Sequence, residues 1–144
     1  MPETLIAPYA ASIYSGTTVA ANTTSTFTLI LADSLQFICD MGTITGTSPT
    51  FDVSIQTSVD GGTTWYDVWR FAQFTAAAKQ RIIVQPMQGR GEAGSQATIG
   101  TTGALSANAP VTATCRVNIT VGGTSPSAAT LKVYMIASPR ATAV

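Results

Sequence analysis

The chain has 144 residues, of which 45% are hydrophobic and only 10% are charged, and its seven basic residues balance its seven acidic ones. Because nucleic-acid binding depends on clustered Lys and Arg, this neutral composition argues against a DNA- or RNA-binding protein. The chain has no histidine, which removes the commonest general base and metal ligand, so we expect no enzyme, no cofactor and no metal site.

Residues 1–16 come first and lack the alternation of a strand. They contain two prolines and three side chains suited to contact another subunit, Tyr9, Ile13 and Tyr14. We predict an extended N-terminal arm here, followed by one domain over 17–144. The start lacks the basic residues and apolar run of a signal peptide, and no stretch approaches the roughly 20 apolar residues of a membrane span. We therefore expect synthesis in a cytoplasm and no membrane contact.

β-Branched residues and two-residue alternation dominate from Thr17 onward, which indicates an all-β domain. Strands are predicted at about 17–21, 25–32, 35–41, 50–57, 64–71, 79–86, 112–121 and 129–137. Short strands separated by Gly, Pro and Ser are typical of a single β-sandwich, either a jelly roll or an immunoglobulin-like domain. Only residues 71–79 are compatible with a helical turn.

Residues 45–69 predict a complete antiparallel hairpin. The run 51–56 alternates apolar and polar residues, as a strand with one buried face does. In the turn, a carboxylate can accept hydrogen bonds from backbone amides, glycines allow positive φ, and a Trp packs beneath. The residues given these structural roles are Asp60, Gly61, Gly62 and Trp65.

This hairpin resembles a segment of the small β-proteins of tailed-phage virions. In them a strand ending in GTSPT leads through an alternating run to a DGGTTWYDV turn, as at residues 46–50 and 60–68. The resemblance covers residues 25–70 well and 112–137 loosely. It implies a structural protein of the capsid surface, a decoration or cement protein that binds the mature shell at symmetry axes. The implied partners are the major capsid protein and copies of itself, as a trimer or a dimer.

Two other functions remain open. A tail, neck or baseplate component would share the same fold and composition. A carbohydrate-binding module would use Trp65, Tyr66 or Trp69 as a stacking platform. The segment 58–65 also matches the SxDxGxTW Asp box of sialidase-type propellers, where it is a structural turn. A single copy indicates a hairpin tip and not a propeller.

Two further features lie outside the hairpin. The sequence GTSP at 46–49 recurs at 123–126, and both copies predict turns between strands. Cys39 and Cys115 fall on separate predicted strands, where we interpret them as small buried residues, with a disulfide as the alternative.

Residues 87–111 are rich in Gly, Ala and Ser and show no core pattern. A segment of this length is unusual inside a compact domain, and we predict an interaction loop that a partner orders. Arg90 and Glu92 in this loop are candidates for ion pairs between subunits, which would fix register more than they add strength.

Overall fold

The computed structural model describes residues 9–29, 32, 34–84, 112–123 and 127–138. These residues form strands and no helix. The strands are β1 (Tyr9–Val19), β2 (Thr23–Thr28), β3 (Ser34–Thr45), β4 (Thr50–Ser58), β5 (Trp65–Arg70), β6 (Ala78–Val84), β7 (Thr114–Gly122) and β8 (Ala128–Ser138).

The strands form two four-stranded antiparallel sheets. Sheet A has the order β1-β8-β3-β6, and sheet B has the order β2-β7-β4-β5. The first strand pairs with the last, β2 with β7, β3 with β6, and β4 with β5. This pairing arises when one long hairpin wraps around a core, and it defines the jelly roll. The predicted β-sandwich is confirmed, and the jelly roll is the topology observed.

The core lies between the two sheets because alternate residues of each strand face inward. Its centre is Phe37 of β3, which is fully buried. The Phe37 ring lies 5.2 Å from the ring of Trp69 and 6.3 Å from that of Phe27, both in sheet B. Aromatic contacts between the sheets therefore fix their relative positions.

The second half of the expected arm, residues 9–16, is part of a strand. Residues 9–16 belong to β1, an edge strand of sheet A that pairs with β8 of the same chain. A bulge between Ser12 and Tyr14 breaks the two-residue alternation there, which explains why the sequence pattern did not predict a strand. Residues 1–8 lie outside the described part of the chain.

Residues 71–79 do not form the helical turn that their sequence allowed. Phe71 and Phe74 are both buried, and they extend the pairing along β4. The amide of Phe71 donates to the carbonyl of Val53 at 3.0 Å, and Phe51 and Phe74 exchange two hydrogen bonds of 2.9 Å. Burial of two aromatic side chains outweighs the local helix propensity of the alanines that follow.

The first GTSP segment is in contact with Gly123, the first residue of the second segment. Each follows a strand of one sheet and precedes a strand of the other, so both connect the sheets. Gly46 and Gly123 have nearly equal φ angles of 122° and 126°. The position of a Cβ on Gly123 is only 3.2 Å from the Cα of Pro49, so Gly123 packs closely against the first segment.

Candidate functional site

The hairpin tip between β4 and β5 is organised by the carboxylate of Asp60. Its Oδ1 accepts hydrogen bonds from the amides of Thr63 at 3.1 Å and Thr64 at 2.7 Å. The hydroxyl of Ser58 donates to the same oxygen at 2.9 Å. Hydrogen bonding from Thr64 is the largest effect, and together with Ser58 and Thr63 it lowers the pKa of Asp60 to about 2.

The rest of the turn has the predicted construction. Gly61 and Gly62 have φ angles of 75° and 103°, which L side chains rarely adopt. The Gly62 amide donates to the hydroxyl of Ser58 at 2.7 Å, and the Trp65 indole donates to the Gly62 carbonyl at 3.1 Å. Asp60, Gly61, Gly62 and Trp65 all take part in the hydrogen bonds or the backbone bend of this turn.

Next to this tip, the outer face of sheet B carries a row of polar side chains that crosses its four strands. Register places Thr26, Arg116, Gln56 and Asp67 in this order along the row. With about 4.8 Å between strands, the row is about 14 Å long. We call these residues the polar row.

Gln56 connects its two neighbours in the polar row. Its Nε2 donates to the Oδ1 of Asp67 at 2.8 Å, and its Oε1 accepts from the Nε of Arg116 at 2.6 Å. The hydroxyl of Ser54 donates to the same Oδ1 of Asp67 at 3.0 Å. Each side chain in this group is held in position by another.

Arg116 also stacks on an aromatic ring. Its guanidinium carbon lies 4.4 Å from the centre of the Trp65 ring, a distance typical of a cation–π contact. Desolvation lowers the pKa of Arg116, and the negative charge of nearby Asp67 opposes this shift. Arginine nevertheless remains protonated, so the polar row carries one positive and one negative charge.

A second charge pair lies beside the polar row. The Nη2 of Arg70, which is only 5% exposed, is 3.7 Å from the Oδ1 of Asp52. Gln73 donates to both oxygens of Asp52, at 3.2 and 3.1 Å. The charges on this part of the sheet are therefore balanced.

The three aromatic residues considered for a sugar platform are separated in the structure. Trp69 is completely buried in the core, and Tyr66 is 46% exposed but does not belong to the polar row. Trp65 alone lies against Arg116. Sequence reasoning missed the grouping of Gln56, Arg116 and Trp65, because it depends on the register of three strands and not on spacing along the chain.

The predicted subunit contacts fall in different places. Tyr9 lies in β1 opposite Ala137, and Ile13 is a core residue with 8% exposure. Tyr14 is half-buried against the core, and this burial raises its pKa. The other two predicted contacts, Arg90 and Glu92, lie outside the described residues together with the predicted loop. The role of these residues between subunits stays a prediction.

The outer face of sheet A differs from that of sheet B. It carries large apolar side chains on adjacent strands, which we call the apolar patch: Ile38, Ile83, Tyr134 and Ile136. Register places Gln36 opposite both Ile83 and Ile136, and Ile38 opposite Tyr134. Ile83 is 56% exposed.

Charged residues adjoin the apolar patch along the same face, and we call them the basic end: Lys79, Arg81 and Lys132, with Asp40 between the lysines. The ammonium of Lys79 lies 3.9 Å from a carboxylate oxygen of Asp40. The basic end therefore carries three positive charges and one negative charge.

Both cysteines are free and completely buried, as interpreted from their sequence positions. Burial raises the pKa of the Cys39 thiol far above its usual range, and the charge of Asp40 adds to this effect. Burial also raises the pKa of Cys115 to about 11.

Within the described ranges, no group of three or more Cys, Asp or Glu side chains is placed to hold a metal ion. None of the described segments is a helix with the length and apolar character needed to cross a lipid bilayer. No family model matches the chain, and neither the curated proteins nor the solved structures include a match.

Proposed function

We propose that this protein is a non-enzymatic structural component of a tailed-phage virion, a capsid decoration protein that binds the mature shell and stabilises it. The assignment to phage virions rests on the resemblance of residues 45–69. The assignment to a docking role is carried by one observation, the apolar patch on the outer face of sheet A.

The two outer faces support this choice by their contrast. A solvated sheet face normally carries polar side chains, and contiguous exposed apolar groups mark interaction surfaces. The outward positions of sheet B, in its described strands, carry no aliphatic side chain. Sheet A carries three isoleucines and a tyrosine on neighbouring strands. We therefore assign sheet A to the shell and sheet B to the outside.

The basic end would determine how the protein is oriented on the shell. Three cations beside an apolar patch are complementary to a shell surface in which carboxylates border apolar residues. Exposed ion pairs contribute only about 0–1 kcal/mol each, so they select the docking angle more than they add affinity. Copies bound as a trimer at a local three-fold axis, or as a dimer, would gain avidity from simultaneous attachment.

Co-sedimentation with shells that lack the protein tests this function. We expect saturable binding to expanded, mature capsids and none to unexpanded procapsids, with greater resistance of the decorated capsids to heat. Failure to bind either particle, together with rings or tubes formed by the protein alone, would instead assign it to the tail, neck or baseplate.

Substitutions in the apolar patch test which face docks. Ile83→Ser and Ile136→Ser should weaken capsid binding while the protein stays folded, because both side chains point away from the core. Val59→Ser is the matched control, since Val59 is an aliphatic side chain at the hairpin tip with 67% exposure. Equal effects of all three substitutions would remove sheet A as the docking face.

A further inference from the structure

The polar row on the outer face of sheet B has donors and acceptors that form no hydrogen bond with the described residues. In the described part of the chain, Asp67 accepts two hydrogen bonds, both through Oδ1. Arg116 donates one, through Nε. The Oδ2 of Asp67 therefore remains available as an acceptor on one side of Gln56. The two Nη groups of Arg116 remain available as donors on the other side.

We propose that this face binds a neutral oligosaccharide, with Trp65, Arg116, Gln56 and Asp67 as the recognition residues. Sugar hydroxyls both donate and accept hydrogen bonds. A planar carboxylate, amide or guanidinium group has two or more polar atoms in one plane and can therefore bind two neighbouring hydroxyls at once. Arg116, Gln56 and Asp67 are three such side chains on adjacent strands. This binding activity is additional to shell docking and uses the opposite face of the sandwich.

Charge balance distinguishes this ligand from an anion. Arg116 and Asp67 carry opposite charges, and Arg70 and Asp52 form a second neutral pair beside them. A site for phosphate or a sulfated sugar would need an excess of positive charge, because anion recognition relies on clustered cations. A neutral ligand is not repelled by Asp67 and can use its free oxygen.

The recognition side chains are also held in place before any ligand arrives. Gln56 is bonded on both sides, Ser54 supports Asp67, and Arg116 lies on the ring of Trp65. Such preorganisation reduces the entropy lost on binding. The half-buried Trp65 ring adds apolar surface beside the polar groups, a combination typical of ligand sites.

The surroundings of the polar row favour a polar ligand over a protein partner. Its neighbours on the outer face of sheet B are hydroxyl and amide side chains: Thr24, Thr28, Thr114, Asn118 and Thr120. A protein interface would require a central apolar or aromatic cluster that this face lacks apart from Trp65.

Titration with neutral hexasaccharides tests the proposal. The probes are maltohexaose, cellohexaose, xylohexaose, laminarihexaose and chitohexaose, with a heparin-derived hexasaccharide as the anionic comparison. The chain has two tryptophans, and Trp69 is fully buried, so a change in tryptophan fluorescence reports on Trp65. We expect at least one neutral probe to bind in the millimolar range or better, with NMR shifts at the Trp65 indole and the Arg116 Nε.

Two conservative variants locate the site. Asp67→Asn and Arg116→Lys should each weaken binding by about tenfold or more, because each alters a charged hydrogen-bonding partner. Ile136→Ser on sheet A should leave binding unchanged, and circular dichroism checks that every variant is folded. Binding by none of the neutral probes, binding of the heparin fragment alone, or a wild-type affinity in both sheet B variants would each overturn the proposal. None of these results depends on capsid docking.

Discussion

The guanidinium carbon of Arg116 on β7 lies 4.4 Å from the ring centre of Trp65 on β5, so the two residues meet across the intervening strand β4. Gln56 of β4 is the register partner of Arg116 and accepts a hydrogen bond from its Nε at 2.6 Å, whereas Trp65 is paired with Ser58 of the same strand. The hairpin tip and the centre of sheet B are thereby joined through side chains.

This contact predicts a measurable coupling between Arg116 and Trp65. In a double-mutant cycle with Arg116→Met and Trp65→Leu, we expect an interaction free energy of about 0.5–1 kcal/mol, the usual range for an exposed cation–π pair. Urea denaturation of the four proteins gives this value. The same cycle with Tyr66→Leu should give a coupling near zero, because Tyr66 alternates with Trp65 along β5 and is paired with Thr57. Equal couplings in both cycles would argue against the stacking.

The hairpin tip predicts a pH-dependent contribution of Asp60 to stability. Its pKa is about 2 in the folded protein, against an ordinary value of 3.8. A lowered pKa stabilises the folded state above the unfolded-state value, and this contribution is lost as the pH falls through the folded-state value. The difference in unfolding free energy between wild type and Asp60→Asn should therefore be constant above about pH 4 and shrink between about pH 4 and 2.

Urea denaturation across this pH range measures the effect. Asp40→Asn on sheet A is the control, because Asp40 forms only a distant, exposed ion pair with Lys79 at 3.9 Å. A difference between wild type and Asp60→Asn that persists unchanged at about pH 2 would show that the charge of Asp60 is not what stabilises the tip.

The contact of Gly123 with the turn at Ser48 and Pro49 predicts that this glycine does not tolerate a side chain. Gly123→Ala should cost about 1–3 kcal/mol, because an L residue is strained at a φ of 126°. The added Cβ would also lie 3.2 Å from both the Cα of Pro49 and the carbonyl oxygen of Ser48. Thermal and urea denaturation give the loss.

Gly61 at the hairpin tip provides the matched comparison for Gly123. It also has a positive φ, of 75°, but a Cβ there would meet no heavy atom within 4 Å. Asn adopts this left-handed conformation readily, so Gly61→Asn should change the stability by only a few tenths of a kcal/mol. Similar losses for the two substitutions would mean that neither the backbone strain at Gly123 nor its contacts with Ser48 and Pro49 limit the substitution.

Much of the fold follows from the sequence because alternation reports directly on burial. Every second residue is buried along β8, in β3 as far as Met41 and in β7 as far as Ile119. The predicted strands 35–41, 112–121 and 129–137 overlap these observed strands. The tip was predictable for a different reason, since each partner of Asp60 is at most four residues away from it in the sequence. Local hydrogen bonds can be inferred from local sequence.

The other features depend on contacts that are distant along the chain. In a regular strand, Trp65 and Trp69 would lie on the same face because they are four residues apart. A bulge in the pairing of β4 with β5 instead places Trp69 in the core while Trp65 stays at the surface. Likewise, Arg116 and Gln56 are hydrogen-bonded although they are 60 residues apart. Only the register of the folded sheet brings such residues together.

The two buried cysteines predict inert thiols in the native protein. The thiolate is the reactive form, and burial raises the pKa of Cys39 strongly and that of Cys115 to about 11. At about pH 8, an aromatic disulfide reagent should therefore label neither thiol in the folded protein. In urea without a reductant, it should label both.

Val59→Cys provides the control for this experiment, because its 67% exposed position should react as soon as the reagent is mixed. Rapid labelling of one native thiol would place that cysteine outside the core. Two unreactive thiols in urea would indicate a disulfide between Cys39 and Cys115, in contradiction to the free thiols seen here. Slow labelling of the thiols in the folded protein, at the rate of global unfolding, would instead agree with burial of both thiols between the sheets. Buried thiols become accessible to the reagent only when the sandwich opens.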